Sequence, residues 1–459
     1  MCSIFGYYVI KDLDKAGRIL KKVIGKEFFE LNRQRGRDGV GFIQYHGDHT
    51  LYKNLSTKWE DQDFSYVEGG FCGIGNFRAI PTNEWDGERR LCDQQPFLYG
   101  NWASVHNGTV YNDKEIFSEL GITDKPTEVD SFAIPVCMAN GCPEKLKGGI
   151  SSANFNYEDN SLFLMKTYLP FYLYILEGCT YLFSSMPCEE MLNKMGINYQ
   201  VIDFKPYTNL YINGEETKEY EVPSGNEDSA IVCFSGGLDS TTAATVACQN
   251  HKKVILANFN YGCKANDAEI KACQNIHKYL QEKFPEKEIS LEFIDLSFLT
   301  KIGGSTLIDN REGIGVGKAA VEYAIDWVPA RNTAFMGCLA SYCDKFHIGN
   351  IYAGFNLEES GAYEDNSEDF YRYFEKVLKT GTKSRPSIVM PVGQLMKHEI
   401  VKLALEIGAP IHLSWSCYHD GDRPCGKCGP CFLRKRAFAI NGKEDMLDYI
   451  YKGTDYVTE

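Results

Sequence analysis

The chain has 459 residues, of which 44% are hydrophobic and 24% charged, and its formal net charge is −14. This length and composition are typical of a globular protein with two or three domains. No apolar run approaches the ~20 residues that a membrane span needs. The acidic balance argues against stable binding to nucleic acid, which depends on basic patches, and favours small-molecule substrates.

The chain contains 17 cysteines. Its first residues lack the basic start and long apolar stretch of a signal peptide, so we expect a cytoplasmic protein without disulfides. Four cysteines cluster near the C-terminus and one is residue 2. The other twelve lie mostly in apolar patterns and are expected to be buried. The four clustered cysteines and Cys2 are therefore the candidates for metal binding or catalysis.

The first candidate is Cys2. Removal of Met1 is expected because the next residue is small, and the α-amino group so freed, with a pKa near ~8, can act as a base for the thiol. The Met-Cys dipeptide alone does not distinguish a nucleophile from an ordinary second residue. Six segments, the first of which begins with Cys2, do. They are CSIFGYY, RGRDGVGF, GNFRAIP, QQPFLYG, VHNGTVYND and EVDS, in that order. Together they resemble the class II, N-terminal-nucleophile glutamine amidotransferase domain over residues 2–210.

That resemblance implies roles for five residues. Cys2 would attack the side-chain amide of glutamine, and the Asn107 side chain and the Gly108 N–H would stabilise the oxyanion that forms. Arg78 would bind the α-carboxylate of glutamine and Asp130 its α-ammonium group. The alternating strands of this half predict an αββα domain of stacked sheets, the fold of the N-terminal-nucleophile class.

The sequence indicates an α/β protein in three segments. Residues 1–212 form the amidotransferase-like domain, and residues 213–228, which are acidic, turn-rich and poorly periodic, form the predicted linker. In residues 229–459, short apolar strands such as 254–262 and 290–299 alternate with helical patterns. This alternation predicts a doubly wound parallel sheet with its ligand at the carboxyl ends of the strands.

The segment AIVCFSGGLDSTT, residues 230–242, combines a buried strand, a glycine turn and the start of a helix. Backbone N–H groups and the helix dipole attract an anion to such a turn, and the glycines let a phosphate approach the backbone. The order of residues resembles the PP-loop of the ATP-pyrophosphatase family, which cleaves ATP between its α and β phosphates. The predicted ATP-binding residues here are Ser235, Gly236, Gly237, Asp239, Ser240 and Thr241.

Three polar residues stand at the starts of two later helices. VPARNTAF places Arg331 and Asn332 at one helix start, and PVGQLMKHEIVKL places Lys397 at another. Both positions suit an anionic partner, and a solvated first turn stays open for each.

The segment WSCYHDGDRPCGKCGPC has the cysteine spacing C-x7-C-x2-C-x2-C. Four thiolates at this spacing can close a tetrahedral site and favour structural Zn²⁺, with an iron–sulfur cluster as the alternative. The absence of other redox motifs favours zinc. The predicted ligands are Cys417, Cys425, Cys428 and Cys431.

These segments, together with NYG and YEDNSEDF, occur in the order found in the QueC family of 7-cyano-7-deazaguanine synthases, over residues 229–440. The resemblance implies that ATP and Mg²⁺ adenylate the carboxylate of 7-carboxy-7-deazaguanine, and that ammonia then gives an amide and a second activation a nitrile. It implies ATP contacts for Arg331 and Lys397. The substrate contacts that it implies are Asn332, Tyr363 and Asp365.

The sequence departs from the pattern of the family in two places. Cys263 stands where the family usually has Gln, and Asn366-Ser367-Glu368 stands where it usually has Cys-Arg-Pro. The second departure lies in the loop that the resemblance places near the purine.

The two halves together predict a glutamine- and ATP-dependent 7-deazaguanine amidotransferase, because an acyl-adenylate needs a nitrogen nucleophile and a fused glutaminase supplies it nearby. Two alternatives stay open: an archaeosine-type enzyme that turns the nitrile into an amidine without ATP, and an antiviral-defence ligase that joins a deazaguanine to a protein amine. A non-enzymatic binding module would require two complete catalytic sets to be vestigial. The expected partners are ATP, glutamine and a 7-deazaguanine, while a protein acceptor and a homodimer stay open.

Overall fold

The computed structural model describes residues 2–62, 70–80, 88–222, 225–309, 313–314, 316, 326–360 and 363–450, with residues 359 and 360 as backbone alone. The chain divides into two compact units, Met1–Val222 and Pro223–Glu459. Among the described residues, no helix combines the length and the apolar character needed to cross a bilayer. Met1, whose removal is predicted, lies outside the described residues.

The first unit contains two antiparallel sheets. The first sheet consists, in spatial order, of β11 (Tyr199–Ile202), β9 (Tyr172–Leu176), β10 (Thr180–Ser184), β1 (Ser3–Val9), β4 (Cys72–Arg78), β2 (Gly39–Tyr45) and β3 (His49–Asn54). The second consists of β13 (Glu216–Glu221), β12 (Thr208–Asn213), β8 (Ser161–Lys166), β7 (Gly148–Asn156), β6 (Trp102–Val110) and β5 (Phe97–Tyr99).

Strand β1 shows why the two sheets stack. Successive side chains of a strand point to opposite faces, and here both faces are apolar. Ile4 and Tyr8 join the core between the sheets, whereas Phe5 and Tyr7 join the core under the helices. The helices of that outer layer are α1 (Leu13–Val23), α2 (Lys26–Arg33) and α5 (Glu189–Lys194). Helices α3 (Asp113–Glu119) and α4 (Ala133–Ala139) cover the second sheet. The predicted αββα layering is confirmed.

The predicted linker, residues 213–228, contains regular structure. Strand β13 lies within it and pairs antiparallel with β12, and the first strand of the second unit begins at Asn226. The division between the units falls at Val222 and Pro223. All six side chains of β13 are exposed, so this edge strand carries no apolar pattern from which it could be predicted.

The second unit is built on a parallel sheet, in the order β16 (Glu288–Asp295), β15 (Lys253–Asn260), β14 (Asn226–Cys233), β17 (Ile348–Ala353) and β18 (Ser387–Val389). Its described helices are α6 (Leu238–Asn250), α7 (Asn266–Lys283), α8 (Phe298–Ile302), α9 (Arg331–Phe346), α10 (Leu357–Ser360), α11 (Glu368–Gly381), α12 (Lys397–Ile407) and α13 (Gly429–Ile440).

Helices cover both faces of this sheet, which confirms the predicted doubly wound fold. Helices α6 and α7 pack on one face, where Ala230 and Val232 of β14 point, and α9 and α11 pack on the other, where Ile231 points. From β14 the chain runs to β15 and β16 on one side, and later fills β17 and β18 on the other. The order of the strands therefore reverses between β14 and β17, and the carboxyl ends of strands at such a switch point form a ligand crevice.

Candidate active sites

The thiol of Cys2 lies at the start of β1, beside the end of β4. Ser3 pairs with Phe77 in the antiparallel ladder, so the residues after Phe77 face the residue before Ser3. The Ala79 N–H donates to the Cys2 Sγ at 3.3 Å. Burial raises the pKa of the Cys2 thiol, and the Ala79 backbone and the Arg78 charge oppose this rise. A thiol with a raised pKa needs a base before it can attack a carbonyl.

The structure brings Arg78 and Asp130 close to this thiol. The Arg78 charge lowers the pKa of Cys2, whereas the Asp130 charge raises it. The Arg78 side chain is buried and faces Asp93 at 3.9 Å. The Asp130 carboxylate accepts the Val110 N–H at 2.5 Å. A cation and an anion so placed match the two charged ends of a free amino acid.

Asn107 and Gly108 lie in the middle of β6. Asn107 is buried, and its side-chain Nδ2 has no hydrogen-bond partner among the described residues. A buried N–H donor without an acceptor costs free energy, and such groups occur where a ligand supplies the acceptor. Gly108 has a φ of 141°, and a Cβ there would lie 1.8 Å from the Gly149 oxygen. Only glycine fits at this position.

His106 was not predicted as a site residue. It is buried, its Nδ1 lies 2.8 Å from the Ser131 hydroxyl, and that hydroxyl donates to Asp130. Burial lowers the pKa of His106, which favours the neutral ring. The Asn76 amide of β4 donates to the His106 oxygen at 3.1 Å and so ties β6 to the strand beside Cys2. The sequence could have indicated His106, because it directly precedes the predicted oxyanion residue Asn107 in the segment VHNG.

In the second unit, the predicted PP-loop is the turn between β14 and α6. Gly236 has a φ of 72°, a conformation that favours glycine. The hydroxyls of Ser235 and Ser240 lie 3.1 Å apart. The Oγ1 of Thr241, in the first turn of α6, is buried and has no partner among the described residues. The turn therefore presents hydroxyls and a helix N-terminus at one place, which suits a phosphate.

A cleft of about 190 Å³ opens at this turn. Its walls include residues that follow the carboxyl ends of β14, β15 and β17, which is where the strand order predicts a ligand. Three cationic side chains line it: Lys397, Arg331 and Arg434. The Lys397 Nζ contacts the Asp239 Oδ2 at 2.5 Å, and Arg331 donates to the Tyr261 hydroxyl at 3.1 Å. The predicted phosphate and cation positions thus meet in one cavity.

Glu269 also lines the cleft and was not predicted. Burial raises the pKa of this carboxyl to about 7, and the charge of Arg331 opposes the rise. Its neighbour Cys263, one of the departures from the family pattern, lies with its Sγ 3.8 Å from the Glu269 Oε2. Glu269 stands eight residues after Tyr261 on α7, and nothing in its helical pattern separated it from a solvated first turn.

The three predicted substrate-binding residues have different positions. Asn332 lines the cleft, and both Asn332 and Tyr363 line a smaller adjoining pocket. Asp365 holds Asn332: its carboxylate accepts the Asn332 N–H at 3.1 Å, and its backbone oxygen accepts the Asn332 side chain. Burial raises the pKa of Asp365. Asp365 therefore fixes the start of α9.

The four predicted metal ligands converge. Their sulfur atoms lie within 4.8 Å of one another and all four residues are buried. The sulfurs of Cys417 and Cys428 are 3.9 Å apart, and a tetrahedron with Zn–S bonds of about 2.3 Å has edges of about 3.8 Å. The N–H groups of His419 and Cys425 both donate to the Cys417 Sγ at 3.3 Å. The donor set and its dimensions fit a closed structural zinc site.

The cysteine cluster lies beside the cleft at the PP-loop. Trp415, Tyr418 and Pro430, close in sequence to the four cysteines, line the cleft. The backbone N–H of Trp415 donates to the backbone oxygen of Gly236 at 2.8 Å. A metal in the cluster would therefore hold one wall of the cleft against the PP-loop.

Comparisons with known proteins agree with this architecture. The family model described as "Queuosine biosynthesis protein QueC" matches residues 229–442, and the "Glutamine amidotransferase domain" matches residues 88–189. The chain thus joins a glutamine amidotransferase domain to an ATP-using QueC domain.

Full-length relatives identify the family. A "7-cyano-7-deazaguanine synthase 2" of Sulfurisphaera tokodaii is 34% identical, covering 98% of this chain and 100% of its own. The 7-cyano-7-deazaguanine synthase of Saccharolobus solfataricus is 34% identical over 98% and 99%. The chain belongs to this family of enzymes. A solved glutamine phosphoribosylpyrophosphate amidotransferase from B. subtilis covers 100% of both chains at 15% identity, with a TM-score of 0.38.

Proposed function

We propose that the protein is a glutamine- and ATP-dependent amidotransferase that adenylates the carboxylate of 7-carboxy-7-deazaguanine and captures the acyl-adenylate with ammonia. The observation that carries this proposal is the cleft at the switch point of the parallel sheet, where the PP-loop meets Lys397 and Arg331. The names of the full-length relatives supply the class of substrate.

In the proposed first reaction, Cys2 attacks the side-chain carbonyl of glutamine and forms a thioester. The α-amino group that removal of Met1 exposes takes the thiol proton and passes it to the departing ammonia. The Asn107 Nδ2 and the Gly108 N–H donate to the oxyanion, and water then hydrolyses the thioester to glutamate. The Asn107 amide, buried and without an acceptor among the described residues, supports this role.

In the proposed second reaction, a carboxylate oxygen of the deazaguanine attacks the α-phosphorus of ATP, and pyrophosphate leaves. Hydroxyls of the PP-loop and the N-terminus of α6 bind phosphate oxygens, while Lys397 and Arg331 neutralise the charge that develops. Mg²⁺ bound with the triphosphate would further neutralise the departing pyrophosphate. Ammonia then attacks the acyl carbon and expels AMP, which gives the amide.

A nitrile requires a second activation at the same cleft. The amide oxygen attacks the α-phosphorus of a second ATP and pyrophosphate leaves. Loss of AMP, which takes that oxygen, and of two protons from the nitrogen then leaves the C≡N bond. In this proposal Zn²⁺, held by the four cysteines, is structural and takes no part in either activation.

Mass spectrometry of the products from 7-carboxy-7-deazaguanine, ATP and glutamine tests the proposal. We expect the amide or the nitrile, with AMP and pyrophosphate formed in step with it. Formation of an amidine from the nitrile without ATP, or of a protein conjugate, would establish one of the two alternatives instead. No AMP with any 7-deazaguanine acid would refute the proposal.

A further inference from the structure

A second, smaller pocket adjoins the ATP cleft. It has a volume of about 60 Å³, which is room for roughly four to six ordered waters. It shares Arg331, Asn332, Phe355 and Tyr418 with the cleft and adds Asp326, Tyr363 and Asn366. A ligand seated in this side pocket would therefore extend into the cleft that holds the PP-loop.

Two residues that line the side pocket carry buried donors without acceptors in the described part of the chain. Asn366 is 6% exposed, and its side-chain Nδ2 has no partner in the described part of the chain. The Nε atom of Arg331 is also buried and has no partner in that part of the chain. The backbone of Asn366 is fixed, since its N–H donates to the Tyr363 oxygen at 3.0 Å. Because leaving such donors unsatisfied costs free energy, a ligand that brings an acceptor here gains the full value of the bond.

The opposite polarity is also present. Asp326 is 3% exposed, and its carboxylate accepts the Thr306 hydroxyl with one oxygen. An ionised carboxylate has about four acceptor sites, so further N–H donors can bind to it. Donors and an acceptor around one pocket suit a ring edge on which a carbonyl lies next to N–H groups.

The remaining walls are aromatic and held in place. The Tyr363 ring lies nearly parallel to that of Trp327, at 6.2 Å and 12°. The Phe355 ring stacks on Tyr371, at 4.5 Å and 20°. Rings fixed by such packing present flat apolar surfaces, which favour a planar ligand.

We propose that this side pocket binds the lactam edge of the heterocyclic acid, and that Asn366 determines specificity by donating to its ring carbonyl. The Nε of Arg331 donates to the same oxygen, Asp326 accepts the adjacent ring N–H groups, and the carboxylate of the acid extends towards the PP-loop. This inference rests on the proposed function, since it concerns recognition of the acid that is adenylated there. A ring with an amino group in place of the carbonyl would bind poorly, because that amino group is itself a donor and would face the donors of Asn366 and Arg331.

ATP–pyrophosphate exchange that depends on the acid tests the inference. For Asn366→Ala we expect a KM for 7-carboxy-7-deazaguanine raised roughly tenfold, the value of one hydrogen bond, with an unchanged KM for ATP. The matched control is Glu364→Ala, an exposed side chain in the same turn, for which neither KM should change.

A substrate analogue separates recognition from a structural role. In the analogue, hydrogen replaces the ring carbonyl oxygen. The wild-type protein should prefer the parent acid, and Asn366→Ala should lose at least tenfold of that preference. The inference would be overturned if Asn366→Ala kept the wild-type preference for the parent acid over the analogue. It would also be overturned if the wild-type protein showed no such preference. The second result decides the question if the variant does not fold. Wild-type protein that supports no exchange with any heterocyclic acid would refute the proposed function as well.

Discussion

The two proposed sites differ in what the protein itself contributes. In the first unit, the proposed reaction depends on one protein atom, the Cys2 Sγ, to which the Ala79 N–H donates at 3.3 Å. In the second unit, the substrates make and break the bonds, and the protein supplies charges and hydrogen-bond donors around a cleft of about 190 Å³. Removal of a nucleophile abolishes a reaction, whereas removal of one of several electrostatic contributions reduces it by degrees.

Removal of zinc should have the largest effect, and it should inactivate the second unit while the first stays active. Structural zinc contributes about 10–16 kcal/mol to folding of small zinc peptides, and here the cluster lies beside the cleft wall. We expect one zinc per chain by metal analysis. Chelation should abolish ATP–pyrophosphate exchange and leave the glutaminase of the first unit active. Undiminished exchange by metal-free protein would contradict the structural role.

Cys2→Ala should abolish the glutaminase and spare the cleft. We expect a loss of about three orders of magnitude or more in glutamine hydrolysis, because loss of a nucleophile costs up to about 10⁶ in a protease. Ammonium salts should still support the ATP-dependent reaction. Cys92→Ser, which alters an exposed thiol of the same unit, is the control and should behave as wild type. Glutamine hydrolysis that survives in Cys2→Ala would exclude the thioester.

Asn107→Ala should weaken the first site by degrees, since it removes one donor and leaves the nucleophile. We expect kcat for glutamine hydrolysis to fall about 10²–10³-fold with little change in KM. The control Asn140→Ala, at the exposed end of α4, should leave kcat unchanged. A large rise in KM with constant kcat would show that Asn107 binds glutamine in its ground state instead.

Glu269 should produce the smallest effect, a dependence of stability on pH. Burial raises the pKa of this carboxyl from an ordinary 4.5 to about 7, so the folded chain retains a proton that the unfolded chain releases. Its contribution to stability is therefore full below pH 4.5 and is lost as the pH rises through 7.

Glu269→Gln should remove that loss. One unit of pKa corresponds to about 1.4 kcal/mol, so we expect its Tm at pH 8 to exceed that of the wild type by a few degrees. Glu282→Gln, an exposed position on the same helix, should keep the wild-type dependence. Identical pH profiles for wild type and Glu269→Gln would contradict the burial of this carboxyl.

Features that the sequence predicted are those whose parts lie close together in the chain. The PP-loop turn and the four cysteines occupy short segments, and the strand and helix periodicities that predict both folds are local. The roles of Glu269 and Asn366 depend on tertiary neighbours, because an exposed first turn and a buried one have the same sequence pattern. Strand β13 could not be predicted, since all its side chains are exposed.

Transfer of oxygen tests the central claim most directly. If the acid attacks the α-phosphorus of ATP and nitrogen then expels AMP, one carboxylate oxygen must leave with the phosphate. With ¹⁸O in the carboxylate of 7-carboxy-7-deazaguanine, we expect one ¹⁸O in each AMP of the first activation, read by mass spectrometry. Label that appears in pyrophosphate or inorganic phosphate, with none in AMP, would contradict adenylation at this cleft.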